Sequence, residues 1–315
     1  MNHGNISKEI AQGLKVLQER IKSAAIPSSK LDESITLATW NIREFGRKNR
    51  TDAAIHYIAE ILGQFDLICI VELRDDLTDL GRVLTILGPY WRAVYSDMIP
   101  DAGGNRERIA YIYDKRAVTF TGFAAEASPP RIKEGTEYLT KISWWRSPYL
   151  ASFRAGNFDF VVITAHIRWG DSLAARKKEI ETVAEWIDIK RQERTTEDKD
   201  LLVVGDFNIP SLDDDLFLAV TSRGLQVPES LRKLEFGTSL SRDKRYDQIL
   251  HYPIYPENFT DAGGILDFYQ GDSKPLFPGM SKTDFTYQIS DHLPLWIRIN
   301  TDIAGQELDQ IIQKG

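Results

Sequence analysis

The segment DLLVVGDFN, residues 200–208, places four consecutive apolar residues directly before the sequence GDFN. A strand with one face in water would alternate apolar and polar residues, so this continuous run predicts a β-strand that is covered on both faces. Seven other segments have a β-type composition: ITLATW (35–40), DLICIV (66–71), RIAYIY (108–113), AVTFTGF (117–123), FDFVVITAH (158–166), YDQILH (246–251) and LPLWIRI (293–299). Helices or a second sheet must cover such strands, so the sequence predicts a layered α/β or α+β sandwich.

Helix-period segments alternate with these strands, at residues 51–64, 77–87, 171–191 and 213–222. Residues 7–25 also carry apolar side chains at helical spacing, and a Pro-Ser-Ser sequence at 27–29 then breaks the pattern. No low-complexity linker or internal repeat divides the chain. We therefore predict a helical extension and linker at residues 1–30, one large domain at 31–301 and a helical tail at 302–315.

The composition excludes several classes of protein. The 315 residues carry 39 Lys and Arg against 46 Asp and Glu, a net charge of −7, so the chain does not hold nucleic acid by bulk charge alone. No segment approaches the roughly 20 apolar residues of a membrane helix, and the first 20 residues do not resemble a secretory signal. The single cysteine, Cys69, lies in an apolar run, which predicts a buried thiol. We expect a cytoplasmic protein without a membrane partner.

Polar residues of the kinds that bind metals and phosphates gather where the predicted strands end or begin. They are Asn41, Glu72, His166, Asp206, Asn208, Asp247, Asp291 and His292. Each could separately be a turn residue, a surface carboxylate or a core histidine. Turn chemistry alone does not explain why six different strand ends carry only Asn, Asp, Glu and His. Because strand ends commonly form ligand sites in open sheets, we predict that these side chains converge there.

Six sequence blocks give the chain its resemblance to a known family. They are TWNIREFG (39–46), VELRD (71–75), TAH (164–166), GDFN (205–208), YDQI (246–249) and SDHLPL (290–295), and they occur in the family's order. The chain thus resembles the endonuclease/exonuclease/phosphatase superfamily and, within it, the deoxyribonuclease I branch. The resemblance spans residues 35–299. It implies a four-layer sandwich in which two packed, mainly antiparallel β-sheets are flanked by helices.

The resemblance also implies how the site would hold a Mg²⁺ or Mn²⁺ ion. Glu72 is expected to be the principal carboxylate ligand, with Asn41 beside it and Asp291 completing the metal and water network. Asp206 and Asn208 are expected to position or activate the attacking water, or to hold a second ion. Oxygen donors of this kind suit Mg²⁺ or Mn²⁺ better than Zn²⁺, which favours His or Cys ligands.

Two histidine–carboxylate pairs follow from the same resemblance. His292 is expected to contact the scissile phosphate while Asp247 orients it, and His166 is expected to pair with Glu107. A carboxylate partner fixes the tautomer of an imidazole and makes it more basic, which suits proton exchange near neutral pH. Two arginines are implied to bind substrate, Arg74 and Arg146.

The leading functional hypothesis is a metal-dependent phosphodiesterase on nucleic acid, foremost a DNA endonuclease, with RNA as a possible substrate. A phosphatase or phospholipase acting on a small or lipid phosphoester, such as a phosphoinositide or sphingomyelin, is the alternative. Against it, GDFNIP lacks the arginine that follows this block in inositol-polyphosphate phosphatases. An inactive scaffold ranks last, because every expected catalytic residue type is present.

Two sequence features bear on the choice of nucleic acid. Asn105 stands where the nuclease branch usually has a tyrosine that stacks in the DNA minor groove, so a preference for duplex DNA is not implied. Four tryptophans could stack on bases, although in a chain of this size tryptophans are more often core residues. They are Trp91, Trp144, Trp145 and Trp169.

Overall fold

The structure is a computed structural model that describes residues 1–98, 106–140, 142, 144–170, 172–194, 200–254, 256–259 and 262–302, together with residues 304, 305, 308 and 312. Its strands are β1 (Ser34–Phe45), β2 (Leu67–Leu73), β3 (Trp91–Tyr95), β4 (Arg108–Asp114), β5 (Thr119–Glu126), β6 (Arg131–Glu134), β7 (Glu137–Thr140), β8 (Tyr149–Ala155), β9 (Phe158–His166), β10 (Leu201–Asp206), β11 (Asp247–His251), β12 (Gly263–Ile265) and β13 (Leu295–Asn300). The helices are α1 (Lys8–Ser23), α2 (Asp52–Leu62), α3 (Thr78–Leu87), α4 (Leu173–Gln192), α5 (Asp215–Thr221), α6 (Glu229–Arg232) and α7 (Lys282–Gln288).

Two mixed sheets form the centre of the molecule. The first has the strand order β12-β13-β1-β2-β4-β3, and the second has the order β11-β10-β9-β8-β5. Within these two sheets β1 pairs with β2 and β9 pairs with β10 in parallel, and the remaining strand pairs are antiparallel. β1 and β2 face β9, β10 and β11 across the interior, and helices pack against the same continuous core. The predicted sandwich of two mainly antiparallel sheets flanked by helices is confirmed.

All eight predicted strand segments are strands in the structure, and the structure adds β3, β6, β7, β8 and β12. β6 and β7 form a fully exposed hairpin, so no buried face marks them in the sequence. β12 consists of Gly-Gly-Ile, a sequence of low strand propensity that pairs with β13 only because the sheet is already there. Pairing with a neighbouring strand, rather than a pattern in the local sequence, therefore determines β6, β7 and β12.

The helix at the N-terminus packs onto the rest of the chain. Leu14 and Leu17 of α1 are buried in the common core. Arg20 is also buried, and its guanidinium donates three hydrogen bonds to the carbonyl oxygens of Phe268, Tyr269 and Asp272, at 2.9, 2.8 and 2.9 Å. Residues 1–30 as a separate extension stay a prediction, as does the tail at 302–315, most of which lies outside the described residues.

The thiol of Cys69 is fully buried in β2, as its apolar surroundings predict, and burial raises its pKa to about 12. Among the described residues, no helix combines the length and the apolar character that crossing a bilayer requires.

Candidate active site

Three neighbouring strands of the second sheet place acidic and imidazole side chains side by side at paired positions. In the strand register, Asp206 at the end of β10 lies opposite both His166 on β9 and Asp247 on β11. Gly205 makes this close approach possible: its φ is +129°, and a Cβ there would lie 2.0 Å from the carbonyl oxygen of Ala165. No other residue fits that position without displacing the backbone of β9. The glycine of GDFN therefore allows β9 and β10 to approach closely beside the site.

Asp206 is the point on which the other side chains converge. Its Oδ2 atom lies 3.7 Å from Nε2 of His166 and 3.8 Å from Nε2 of His292. The same oxygen accepts a hydrogen bond from Nδ2 of Asn41 at 3.0 Å, and Oδ1 accepts one from the backbone N–H of Asn208 at 2.9 Å. Burial raises the pKa of Asp206, the charge of Asp247 adds to this, and the two imidazoles oppose it. Four predicted site residues thus meet at one carboxylate.

Each histidine of the site has its own carboxylate on the side away from Asp206. Nδ1 of His166 donates to Oε2 of Glu107 at 2.8 Å, and Nδ1 of His292 donates to Oδ2 of Asp247 at 2.8 Å. Both Nε2 atoms consequently point towards Asp206, because the carboxylates fix the orientation of the rings. The two pairs that the sequence predicts are present in the structure.

The electrostatic environment stabilises the charged form of both imidazoles. Burial lowers the pKa of His292, but the charges of Asp247, Asp206 and Asp291 outweigh burial and raise it to about 10. Burial and the charge of Arg146 also lower the pKa of His166, whereas Glu107 and Asp206 produce a net rise. Both Nε2 atoms are therefore suited to donate hydrogen bonds to an anion between them.

Asn41 and Glu72 come from the first sheet and face Asp206 across the sandwich. Nδ2 of Asn41 donates to Oε1 of Glu72 at 3.1 Å, and the backbone N–H of Glu44 donates to Oε2 of Glu72 at 2.9 Å. Irregularities in the pairing of β1, β2 and β4 occur here, and Glu72 and Glu44 have φ values of +62° and +47°. Such conformations are costly for residues other than glycine and cluster at functional sites. The positive φ of Glu72 thus coincides with the interruption of strand pairing beside Asn41.

Ser290 links the SDHLPL block to β1, a role that the sequence did not single out. Its hydroxyl donates to the carbonyl oxygen of Asn41 at 2.6 Å and accepts from the backbone N–H of His292 at 3.0 Å. The neighbouring Asp291 lies 3.6 Å from Nη1 of Arg43. Partial burial raises the pKa of Asp291, His292 and Arg43 oppose this, and the nearby charge of Glu72 adds to it. Ser290 is the first residue of the SDHLPL block, and this was the sequence feature that could have identified it.

The arrangement of oxygen and nitrogen ligand atoms could hold a divalent cation. Asp206, Asp247 and His292 each offer one ligand atom within 4.8 Å of the others. Among the described residues, Oδ1 of Asn41 and Oδ1 of Asp247 are buried without a hydrogen-bond partner. An unsatisfied buried oxygen is costly, and a hard cation satisfies it. The resemblance named Glu72, Asn41 and Asp291 as ligands, whereas this cluster consists of Asp206, Asp247 and His292. The ligand assignment stays a prediction.

The two arginines predicted to bind substrate both lie against Glu107. Arg146 makes a forked contact, with Nε 2.8 Å from Oε2 and Nη2 3.0 Å from Oε1 of Glu107. The Arg74 side chain is only 4% exposed, and its Nη1 lies 3.4 Å from Oε1 of Glu107 while its Nη2 lies 3.8 Å from Oε2 of Glu72. Burial raises the pKa of Glu107, but the charges of His166, Arg146 and Arg74 reverse this and hold it well below its usual range. Substrate contact by these arginines stays a prediction.

Asn105 lies outside the described residues. Of the four tryptophans considered for base stacking, Trp91 is buried and Trp144 packs against Trp186. Trp145 and Trp169 are exposed.

Comparison with known proteins identifies the family. The sequence model of the Endonuclease/Exonuclease/phosphatase family matches residues 38–292. The chain belongs to this family and is a hydrolase that acts on phosphoester bonds.

Individual relatives refine this class. A deoxyribonuclease of Thioalkalivibrio sp. (strain K90mix) is 29% identical over 290 residues, which cover 86% of this chain and 72% of that protein. Deoxyribonuclease-1 of Homo sapiens is 24% identical over 206 residues, covering 62% of this chain and 68% of that protein. Among solved structures, a mannosyl-6-phosphatase of Bacteroides thetaiotaomicron VPI-5482 superposes with a TM-score of 0.56 at 18% identity, over 84% of this chain and 98% of that one. At that identity the superposition shows a shared fold only.

Proposed function

We propose that the protein is a divalent-metal-dependent nuclease that hydrolyses phosphodiester bonds in DNA. The observation that carries the proposal is the placement of Asp206 Oδ2 between the Nε2 atoms of His166 and His292, at 3.7 and 3.8 Å. Two imidazoles that both favour their charged form suit a phosphate group with negative oxygens on either side. A carboxylate between them suits the orientation of a water molecule for attack on phosphorus.

Glu72, Asn41 and Asp291 are the residues that would hold a Mg²⁺ or Mn²⁺ ion, beside the cluster at Asp206. The ion would neutralise charge on the phosphoryl oxygens. The unsatisfied Oδ1 of Asn41 and the oxygen ligand atoms that all three side chains offer support this assignment.

Side chains of the protein would orient the water, bind the phosphate and assist the departing oxygen. Oδ1 of Asp206 is held by the backbone N–H of Asn208, and Oδ2, which accepts one hydrogen bond from Asn41, would use its remaining lone pair to orient the attacking water. His292 donates from Nε2 to a phosphate oxygen, and Asp247 holds its ring in place through Nδ1. His166 donates from the opposite side, where it can protonate or bind the departing oxygen. Pre-oriented donors of this kind need no rearrangement when charge develops.

Similarity to two proteins named deoxyribonucleases supports DNA as the substrate. The alternative of a small or lipid phosphoester has no comparable support, because the likeness to a mannosyl-6-phosphatase extends to the fold alone. The purified protein should be incubated with plasmid DNA, single-stranded DNA, RNA and an inositol phosphate, each with Mg²⁺, Mn²⁺ or a chelator. We expect metal-dependent cleavage of DNA. Inorganic phosphate released from the inositol phosphate, with the DNA left intact, would overturn the proposal.

A matched pair of variants tests the metal assignment. Glu72→Gln keeps the shape of the side chain and removes its charge, so we expect metal-dependent cleavage to fall at least about 100-fold. Glu134→Gln makes the same change on the exposed β6–β7 hairpin and should leave the rate unaltered. Cleavage by Glu72→Gln at the parent's rate in Mg²⁺ would contradict the assignment.

A further inference from the structure

Trp169 is an exposed tryptophan beside the site that the mechanism above does not use. It follows β9 in the loop three residues after His166, and 62% of its surface is accessible. Tryptophan usually buries most of its large apolar ring, so a ring exposed to this extent next to a binding site suggests a ligand.

Neighbouring side chains hold the ring of Trp169 in place. The guanidinium carbon of Arg176 lies 4.5 Å from the centroid of the Trp169 ring. Arg176 is buried and is itself fixed, because it donates to the carbonyl oxygens of Asn208 at 3.1 Å and Gly170 at 3.0 Å. The ring of Tyr246 meets Trp169 edge-on, with 5.6 Å between centroids and an angle of 78°. A ring supported on two sides offers a rigid surface for stacking at little entropic cost.

These supports connect Trp169 directly to the proposed phosphate position. The ring of Tyr246 lies 5.7 Å from the ring of His292, and Tyr246 precedes Asp247, the partner of that histidine. Arg176 contacts the carbonyl of Asn208, whose N–H holds Asp206. Tyr246 therefore contacts both Trp169 and His292, the histidine that would bind the scissile phosphate.

A second exposed tryptophan flanks the site in a similar setting. Trp145 is 55% exposed, the guanidinium carbon of Arg168 lies 4.2 Å from its ring centroid, and Arg146 follows it in sequence. Exposed aromatic rings interleaved with arginines are the surface that binds single-stranded nucleic acid, since bases stack on the rings while the cations follow the phosphates.

We propose that Trp169 stacks on a nucleobase next to the scissile phosphate and thereby directs the enzyme towards single-stranded or locally unpaired DNA. Within a duplex the neighbouring base pairs cover both faces of a base, so only an unstacked base can lie on the indole. The inference rests on the proposed nuclease function and specifies its substrate.

The test compares Trp169→Ala with the parent on three single-site substrates. The first is a single-stranded oligonucleotide, the second has the same sequence with abasic residues flanking the cleavage site, and the third is the matching duplex. We expect Trp169→Ala to lower kcat/KM on the intact single strand by about tenfold or more, and to change it less than about twofold on the abasic strand and the duplex. Trp169→Phe should retain part of the single-strand activity, because it keeps an aromatic face.

Tyr138→Ala is the matched control. Tyr138 is also 62% exposed, but it lies on the β6–β7 hairpin, so its removal should leave all three rates unchanged. An equal loss by Trp169→Ala on intact and abasic strands, or no loss at all, would overturn the stacking role while the nuclease function stands. A parent protein that cleaves none of the three DNA substrates overturns the proposed function and this inference with it.

Discussion

Two histidine–carboxylate pairs stand on either side of Asp206, and their geometry is nearly the same. Nδ1 lies 2.8 Å from a carboxylate oxygen in both pairs, and Nε2 lies 3.7 Å from Asp206 for His166 and 3.8 Å for His292. Their surroundings differ. Glu107 also contacts the guanidinium groups of Arg74 and Arg146, whereas among the described residues Asp247 forms an ion pair with His292 alone.

This difference indicates that the same histidine–carboxylate geometry can serve catalysis in one pair and stability in the other. The charge of Glu107 is divided among His166, the buried Arg74 and the partly buried Arg146, so this carboxylate holds together a network at the ends of β2, β4 and β9. Asp247, in contrast, forms its ion pair with His292 and helps to raise the pKa of that histidine to about 10. We therefore expect the Asp247 side to determine mainly the rate and the Glu107 side to determine mainly the stability.

The largest effect should come from the carboxylate that both pairs share. Asp206→Asn removes the charge that faces both Nε2 atoms and the oxygen that would orient water, so we expect the cleavage rate to fall about 10⁴-fold. Single-turnover cleavage of a DNA oligonucleotide measures this. Asp215→Asn, at a side chain that is 77% exposed on α5, is the control and should cleave at the parent's rate. A loss smaller than about tenfold for Asp206→Asn would remove Asp206 from the centre of the site.

Asp247→Asn should separate rate from stability. It removes the carboxylate that orients His292 from Nδ1, so we expect the rate to fall by about 10²- to 10³-fold. Among the described residues, no cation besides His292 loses an ion-pair partner, so the free energy of unfolding should fall by about 1.5–3 kcal/mol, less than for the Glu107 network. Cleavage rates and urea unfolding of the same preparation check both expectations. A large loss of stability with an unchanged rate would invert the proposed division.

Glu107→Gln should show the opposite balance. It leaves the charges of Arg74 and Arg146 without their shared buried partner, which costs about 3–5 kcal/mol of unfolding free energy when one member of a buried ion network is removed. Urea unfolding measures the loss. The exposed Glu185→Gln on α4 is the control and should stay within about 0.5 kcal/mol of the parent. If Glu107→Gln is as stable as the parent, the network does not hold the strands together.

The smallest effect is expected at Arg146. Arg146→Lys keeps the positive charge but cannot reproduce the forked contact with Glu107, so we expect the rate to fall about three- to tenfold. Arg154→Lys makes the same substitution in an exposed pair with Asp159 and should have no effect on the rate. A rate for Arg146→Lys equal to that of the parent would show that a point charge is sufficient at this position.

The sequence predicted the fold where burial leaves a pattern. Continuous apolar runs marked β2, β9 and β10, since both faces of these strands are covered. The hairpin of β6 and β7 has no buried face, and β12 depends on its neighbour, so neither carried a signal.

Polar residues at strand ends predict where the site lies, and the resemblance implies both histidine–carboxylate pairs, whose contacts are present in the structure. Their catalytic roles stay predictions. The sequence did not show which other acidic and basic side chains contact one another. The contacts of Arg74 with Glu44, Glu72 and Glu107 join residues up to 63 positions apart, and they arise only when β1, β2 and β4 lie side by side. The exposure of Trp169 was equally hidden, because the sequence does not show which tryptophan the core leaves out.

The most direct test of the account is whether His166 and His292 act on one phosphate as a unit. Single-turnover cleavage of one DNA oligonucleotide should be measured for His166→Asn, His292→Asn and the double variant in Mg²⁺. Residues that act together show strongly non-additive losses, so we predict that the double variant is no more than about tenfold slower than the slower single variant. If the losses instead multiply fully, the two histidines work independently and the shared site around Asp206 is contradicted.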